Sequence, residues 1–145
     1  MKAIDRNAVK IRRMVSGDIT PTLGIWWADI PEKEMVASQL RGPLDLSFIA
    51  EYEGILIGFI LATQVYAGLP MTGTGVVYHI AVNPEYQKLG IGKMMIDTFE
   101  KHCQSKGIKI IRAIVPENDA KIIDYFTRAG FCQSSTVNYD KPCTR

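Results

Sequence analysis

Residues 76–93, Val-Val-Tyr-His-Ile-Ala-Val-Asn-Pro-Glu-Tyr-Gln-Lys-Leu-Gly-Ile-Gly-Lys, join a β-branched run, a stop and a basic, glycine-bearing turn. Gly90 and Gly92 carry no Cβ, so the backbone N–H groups of Leu89, Gly90, Ile91, Gly92 and Lys93 can come close to a ligand. An amphipathic helix is expected to open directly at this turn, which makes those N–H groups its unpaired donors, and the helix dipole favours anions there. Gln87, Lys88 and Lys93 add side-chain donors and positive charge. The guest that suits this turn is a phosphate or pyrophosphate. Two common phosphate motifs are excluded by spacing. Gly92-Lys93 is followed by Met94 where a Walker loop needs Ser or Thr, and Met95 stands where a dinucleotide fingerprint needs its third Gly.

The elements that must position this turn are legible from period and punctuation. Val76 to Val82 reads as a strand ended by Asn83-Pro84, because Pro cannot continue a ladder. Val9 to Met14 is a first strand. Asp18 or Thr20 can cap a helix running to about Ala28, with Pro21 in its first turn, and Pro31 to about Gly42 is a second. Ser47–Tyr52 and Ile55–Val65 form a hairpin across Glu53-Gly54, with Gly58 marking a bulge or close packing. Ala67 to Gly75, rich in glycine, reads as a mobile lip over a site. After the turn, Ile91, Met95, Thr98, Phe99 and His102 share a helix face that ends at Gly107. Ile108–Val115 is a buried strand, Asn118 or Asp119 starts a short helix ending at Gly130, and Phe131–Tyr139 supplies the last strand or two. The helical crossover makes the strands ending at Val82 and starting at Ile108 parallel, while the hairpin is antiparallel. The sheet is mixed.

Gln87-x-x-Gly90-x-Gly92 after Ile80-Ala81-Val82-Asn83-Pro84 resembles the coenzyme-A-binding motif of the GNAT superfamily of N-acetyltransferases. A second segment is similar too: Asn118, then Tyr125, then Gly130-Phe131, with Lys121 and Asp124 departing from the usual Ala and Leu. The resemblance spans Val9 to Tyr139, and residues 76–131 carry its specificity. It implies an α/β fold of the GNAT type. That fold is one domain over residues 1–145, with a central mixed sheet of about six or seven strands, about four flanking helices, and two parallel strands that splay to admit coenzyme A.

The same resemblance implies acetyl transfer from acetyl-CoA, as co-substrate, to a primary amine of a small molecule or protein in a ternary complex. The pyrophosphate would rest on Gln87–Lys93, and the pantetheine amides would pair with the backbone of Ile80, Ala81 and Val82 as an added strand. Asn118 would hydrogen-bond the pantetheine or cap its helix. Tyr125 would be the general acid that protonates the departing thiolate. For the base, relatives use a glutamate where this chain has Ala113. His79 titrates in the right range and is the candidate, against a purely structural role. Glu51, Tyr78, Glu117 and bulk water are weaker alternatives. Trp26 and Trp27 lie where relatives shape an acceptor cleft, and one of them could instead serve an oligomer contact, which leaves a homodimer open. Glu32 and Glu34 could attract an amine, though a solvated helix face is the plainer reading. The alternative function is a non-catalytic acyl-CoA sensor or interaction module with this fold; a longer acyl chain is also open.

Composition sets bounds on all of this. The chain has 145 residues, 47% hydrophobic and 22% charged, as in an ordinary soluble globular domain. A net charge of +2 with no Lys/Arg run argues against nucleic acid. Three cysteines, Cys103, Cys132 and Cys143, lack metal-ligand spacing and read as free thiols in a reducing cytoplasm, so no metal is expected. The charged N-terminal residues are unlike a signal peptide, and Ile55–Thr63 is too short to span a bilayer, so no membrane partner is expected.

Overall fold

A computed structural model of the protein describes residues 3–18, 46–69 and 71–143. The chain divides into two compact units, Met1–Ile114 and Val115–Arg145. The first is built on a five-stranded sheet in simple sequence order: β1 (Lys10–Arg13), β2 (Phe48–Tyr52), β3 (Ile55–Ala67), β4 (Thr72–Val82) and β5 (Ile110–Ala113). The first four strands are antiparallel neighbours, whereas β4 and β5 are parallel. Helix α1 (Ile91–Ser105) makes the crossover that a parallel pair requires. The mixed sheet, with its antiparallel hairpin and its parallel pair, is as anticipated. The two helices expected between Asp18 and Gly42, with Trp26, Trp27, Glu32 and Glu34, lie outside the described residues.

Glu53 and Gly54 both adopt positive φ (51° and 75°), the geometry of a two-residue type I′ hairpin. The β3–β4 hairpin is longer than its sequence suggests. β3 pairs with β4 as far as Ala67↔Thr72, so most of the glycine-rich stretch is strand and only a short turn remains. The glycines of that stretch serve close approach. A Cβ on Gly73 would stand 3.0 Å from the Tyr66 ring, and one on Gly75 would stand 3.0 Å from Cys103 Sγ and 3.2 Å from Phe99. Gly58 acts likewise: its Cβ would meet the Ala81 carbonyl at 3.1 Å and Met95 at 3.2 Å. The bulge anticipated there falls beside it, because Ala50 pairs with Gly58 and Glu51 with Leu56, leaving Ile57 as the extra residue.

Helix α1 lies against this surface through Ile91, Gly92, Met95, Ile96, Phe99 and Cys103, all buried. It ends in a Schellman motif: the Ile108 N–H reaches the Cys103 carbonyl (2.9 Å), the Gly107 N–H reaches that of Gln104 (3.0 Å), and Gly107 takes φ 78°. Residues 48–50 of β2 and 57–62 of β3 are buried without alternation, so both faces of these central strands are covered. Ser47, also buried, adds a rung with its hydroxyl, which donates to the Ala62 carbonyl (3.2 Å) and accepts from the Ala62 N–H (3.1 Å).

Arg12 on β1 clamps two acidic side chains, Asp18 (2.7 Å) and Glu51 (2.8 Å). That bond holds the Asp18 carboxyl below its ordinary range, and Asp18 also accepts from the Val15 N–H. Asp18 is therefore engaged inside its own 3-10 turn, Ser16–Asp18.

The second unit contains helix α2 (Ala120–Arg128), capped by Asp119, whose carboxylate accepts from the Ile122 N–H. It too ends in a Schellman motif at Gly130 (φ 98°), with the Phe131 N–H on the Phe126 carbonyl and the two rings 5.1 Å apart. The strand expected over Phe131–Tyr139 is not formed. The Ser134 hydroxyl instead accepts from the Thr136 N–H (3.0 Å), a local bond that competes with any ladder. The described residues thus hold five strands and two helices, against the six or seven and about four anticipated.

Two stability changes follow from this packing. Glu53→Asn, which tolerates left-handed backbone, should raise the unfolding free energy by roughly 0.5 kcal/mol or more, read as a higher urea midpoint at unchanged slope. Gly75→Ala should cost about 1–3 kcal/mol by overpacking. In a Cys103→Ala background, which removes the nearest atom, the same change should cost measurably less; equal costs in both backgrounds would refute the steric account.

Candidate functional site

The first unit brings together an open strand edge, a turn and a helix N-terminus. β4 pairs with β5 only from Thr74↔Ile110 to Val77↔Ala113, yet it stays paired with β3 through Gly58↔Val82. Residues 78–82 therefore have a strand partner on one side only among the described residues. The cause is local. Leu61 pairs with His79 and Ala62 with Val77, so Tyr78 is an extra residue in β4, and a bulge adds twist and bends its strand. Tyr78 is 65% exposed. The sequence carries no mark of this bulge.

Beyond Val82 the chain is firmly held. The Asn83 N–H bonds the Ile57 carbonyl (2.8 Å), and the Asn83 side chain accepts from the Glu85 N–H, capping the 3-10 turn Pro84–Tyr86. Tyr86 is buried and sits 6.3 Å from the Tyr52 ring. Gln87 turns back: its amide nitrogen donates to the Val82 carbonyl at 3.0 Å. Its side chain thus braces the turn against β4, a use that the motif alone does not reveal.

Lys88 (φ 63°) and Gly90 (φ 82°) are left-handed. Gly90 is the N-cap of α1 and supplies no side-chain cap bond, and the first turn contains no acidic residue. A left-handed residue followed by the helical Ile91 points successive N–H groups into one concavity, an anion-binding nest reinforced by the dipole of a 15-residue helix. Lys93 is exposed and pairs with Asp97 one turn on (2.7 Å). Leu89 is half-buried, and Ile91 and Gly92 are buried, so their backbone is fixed by the core beneath. Arg6, which sequence reading did not single out, lies beside Gly90: a Cβ there would be 2.9 Å from its Nη2. No sequence signal connects residues so far apart.

His79 lies at the start of the open edge, opposite Leu61 and 5.8 Å from the Phe59 ring. Burial lowers its pKa below the ordinary 6.5, so the imidazole is neutral at neutral pH. Among the weaker base candidates, Glu51 is committed to Arg12, and Glu117 is exposed in the second unit. Ala113 is the last residue of β5 and its last rung with β4.

The second unit places Tyr125 on α2, half-buried with its ring edge-to-face on Phe126 (5.3 Å). Burial pushes its hydroxyl up to about 12, so it stays protonated. Asn118 is exposed in the turn before α2, and Asp119, not Asn118, is the cap. No helix among the described residues is long and apolar enough to cross a membrane.

The family model of the acetyltransferase (GNAT) family matches residues 14–131. The chain is 32% identical over 89 residues to mycothiol acetyltransferase of Streptomyces avermitilis, a match covering 61% of this chain and 28% of that protein. It therefore spans little more than a quarter of that relative's length. Among solved structures it is similar to AAC(6')-Iy in complex with the bisubstrate analogue CoA-S-monomethyl-acetylneamine, with TM-score 0.74, 20% identity and coverage of 93% and 99% of the two chains. It is also similar to a ribosomal-protein-alanine N-acetyltransferase from Brucella melitensis biovar Abortus 2308, with TM-score 0.74, 18% identity and coverage of 94% and 100%. At these identities the likeness to solved structures is one of fold. With the family model matched over most of its length, the chain belongs to the GNAT acetyltransferase family.

Proposed function

We propose that residues 1–145 act as one N-acetyltransferase domain. It moves an acetyl group from acetyl-CoA to a primary amine of a small molecule or protein by direct attack in a ternary complex. The observation that carries this reading is the one-sided pairing of β4 at residues 78–82, continuous with an N–H nest at Gly90 that has no acidic neighbour in its helix turn. A pyrophosphate suits the nest formed by Leu89, Gly90, Ile91, Gly92 and Lys93, with Lys88 and Lys93 as neighbouring cations and Gln87 bracing the turn. The amides of a pantetheine arm suit the backbone of Ile80, Ala81 and Val82, in the manner of strand addition. An N–H of the same edge can hold the oxygen that becomes negative when the amine attacks the thioester carbonyl.

His79, neutral at neutral pH, accepts the proton that the amine loses. Tyr125, protonated throughout the working range, supplies the proton to the departing sulfur, and Asn118 hydrogen-bonds the pantetheine. Among relatives, acceptors named as small molecules and as a ribosomal protein both occur, which leaves the acceptor at the level of a primary amine.

The direct test is release of coenzyme A thiol by the full chain against a panel of polyamines, amino acids, aminoglycosides and N-terminal peptides. Turnover is expected with at least one amine. Tyr125→Phe should lower kcat by about 10²–10⁴-fold with little change in acetyl-CoA affinity. Acetyl-CoA binding without thiol release from any amine would leave the non-catalytic acyl-CoA sensor as the reading, in keeping with Ala113 at the position of the usual glutamate.

The pH dependence tests His79. With its folded pKa below 6.5, kcat/KM should rise through an acid limb centred under pH 6.5, and His79→Ala should abolish that limb along with most of the rate. The same burial contributes stability that is present above the unfolded pKa of 6.5 and lost as pH falls towards the folded one, because the unfolded chain then binds the extra proton. An unchanged acid limb in His79→Ala would assign the base elsewhere.

A further inference from the structure

Arg6 opens a 3-10 turn, Arg6–Ala8, capped by the Asp5 carboxylate, which accepts from the Asn7 N–H. That turn precedes β1 and directs the Arg6 side chain across to the start of α1. An ideal Cβ at Gly90 would lie 2.9 Å from Arg6 Nη2, 3.3 Å from Cζ and 3.8 Å from Nε. The flat guanidinium therefore fills the space in which any other residue at position 90 would carry its side chain. Gly90 is favoured here by its positive φ, and a larger residue would have to displace the end of the flexible Arg6 side chain.

The electrostatics of this arrangement are one-sided. A cation near the N-terminus of a helix stands at the wrong end of the dipole. No acidic residue in the first turn of α1 offsets it, Asp5 is engaged with its own backbone, and no hydrogen bond or ion pair involves the Arg6 guanidinium among the described residues. A fork of N–H donors thus stands beside the helix end whose backbone N–H groups are unpaired. What relieves both is a bound anion with several acceptor oxygens, and the planar guanidinium matches a phosphate bidentately.

We propose that Arg6 is a phosphate ligand of acetyl-CoA, closing the Gln87–Lys93 turn from the side of the N-terminal segment. This rests on the reading of that turn as the coenzyme site. Arg6 would act as a clamp carried by a different part of the chain from the glycine motif. Phosphate binding would then also tie the 3-10 turn ahead of β1 to the N-terminus of α1.

The test is calorimetric titration of the full chain and of Arg6→Gln and Arg6→Lys with acetyl-CoA and with acetyl-3′-dephospho-CoA, alongside each variant's melting temperature. Arg6→Gln should weaken acetyl-CoA about tenfold or more, and Arg6→Lys, which keeps charge but not the fork, should fall between it and the parent. A loss shared by both ligands assigns Arg6 to the pyrophosphate; a loss confined to acetyl-CoA assigns it to the 3′-phosphate. Arg6→Gln is expected to melt with the parent, so that weakened binding is not a folding defect. Parent-like affinity in Arg6→Gln overturns the role of Arg6 alone. Failure of the parent itself to bind acetyl-CoA overturns the reading of the turn, and this proposal with it.

Discussion

β4 stays paired with β3 as far as Val82 but leaves β5 after Val77. A strand paired on both edges has no backbone to offer, and one paired on neither would not hold its shape. The extra residue at Tyr78 reconciles these demands, since a bulge increases local twist and so swings the remainder of β4 away from a parallel neighbour. The Asn83 N–H on the Ile57 carbonyl then pins the far end. Everything downstream, from the direction in which the chain enters its turn to the place where α1 begins, inherits its position from this one-sided pairing.

The position of α1 is fixed by subtraction of side chains. Met95 lies on Gly58, and Phe99 and Cys103 lie on Gly75, three helix residues spaced four apart along one face. Gly58 is opposite Val82, whereas Gly75 is near the other end of β4. The helix consequently runs back along the sheet, its N-terminus beside the end of the open edge. At about 1.5 Å of rise per residue, Met95 and Cys103 are roughly 12 Å apart, so two glycine contacts define both the axial position and the direction of the helix. The glycines that bind α1 to the sheet are therefore as much a part of the site as those that bend its turn.

Local signals in the sequence translated well, for a physical reason: each is complete within a few residues. Glu53-Gly54 closes its own hairpin, Gly107 and Gly130 close their own helices, and Asn83-Pro84 stops its own strand. What depends on a distant partner was not legible. Gly73 and Gly75 look like loop residues until the Tyr66 ring and helix α1 are seen against them. Gln87 reads as a ligand donor, and the bond that its amide also makes to the Val82 carbonyl is seen only in the folded turn. Phe131 to Tyr139 reads as a strand or two, but a strand is a relation between two segments, and here the hydroxyls of Ser134 and Thr136 bond each other. Of the site itself, the glycine turn and its helix were readable, whereas the bulge at Tyr78 and the place of Arg6 were not.

Desolvation, a single physical cause, moves the two candidate proton carriers in opposite numerical directions and to the same chemical end. Burial disfavours the charged form of any group. For His79 that form is the imidazolium, so its pKa falls and the ring can accept a proton at neutral pH. For Tyr125 it is the phenolate, so the hydroxyl, pushed up to about 12, keeps a proton to give. Burial is the cause of both shifts, whereas the hydrogen bond to Arg12 is what holds Asp18 ionised. The anion nest follows the opposite rule, its donors exposed at a helix end where a charged guest is welcome. Neutral side chains and a positive turn are thus set by opposite relations to water, burial for the one and exposure for the other.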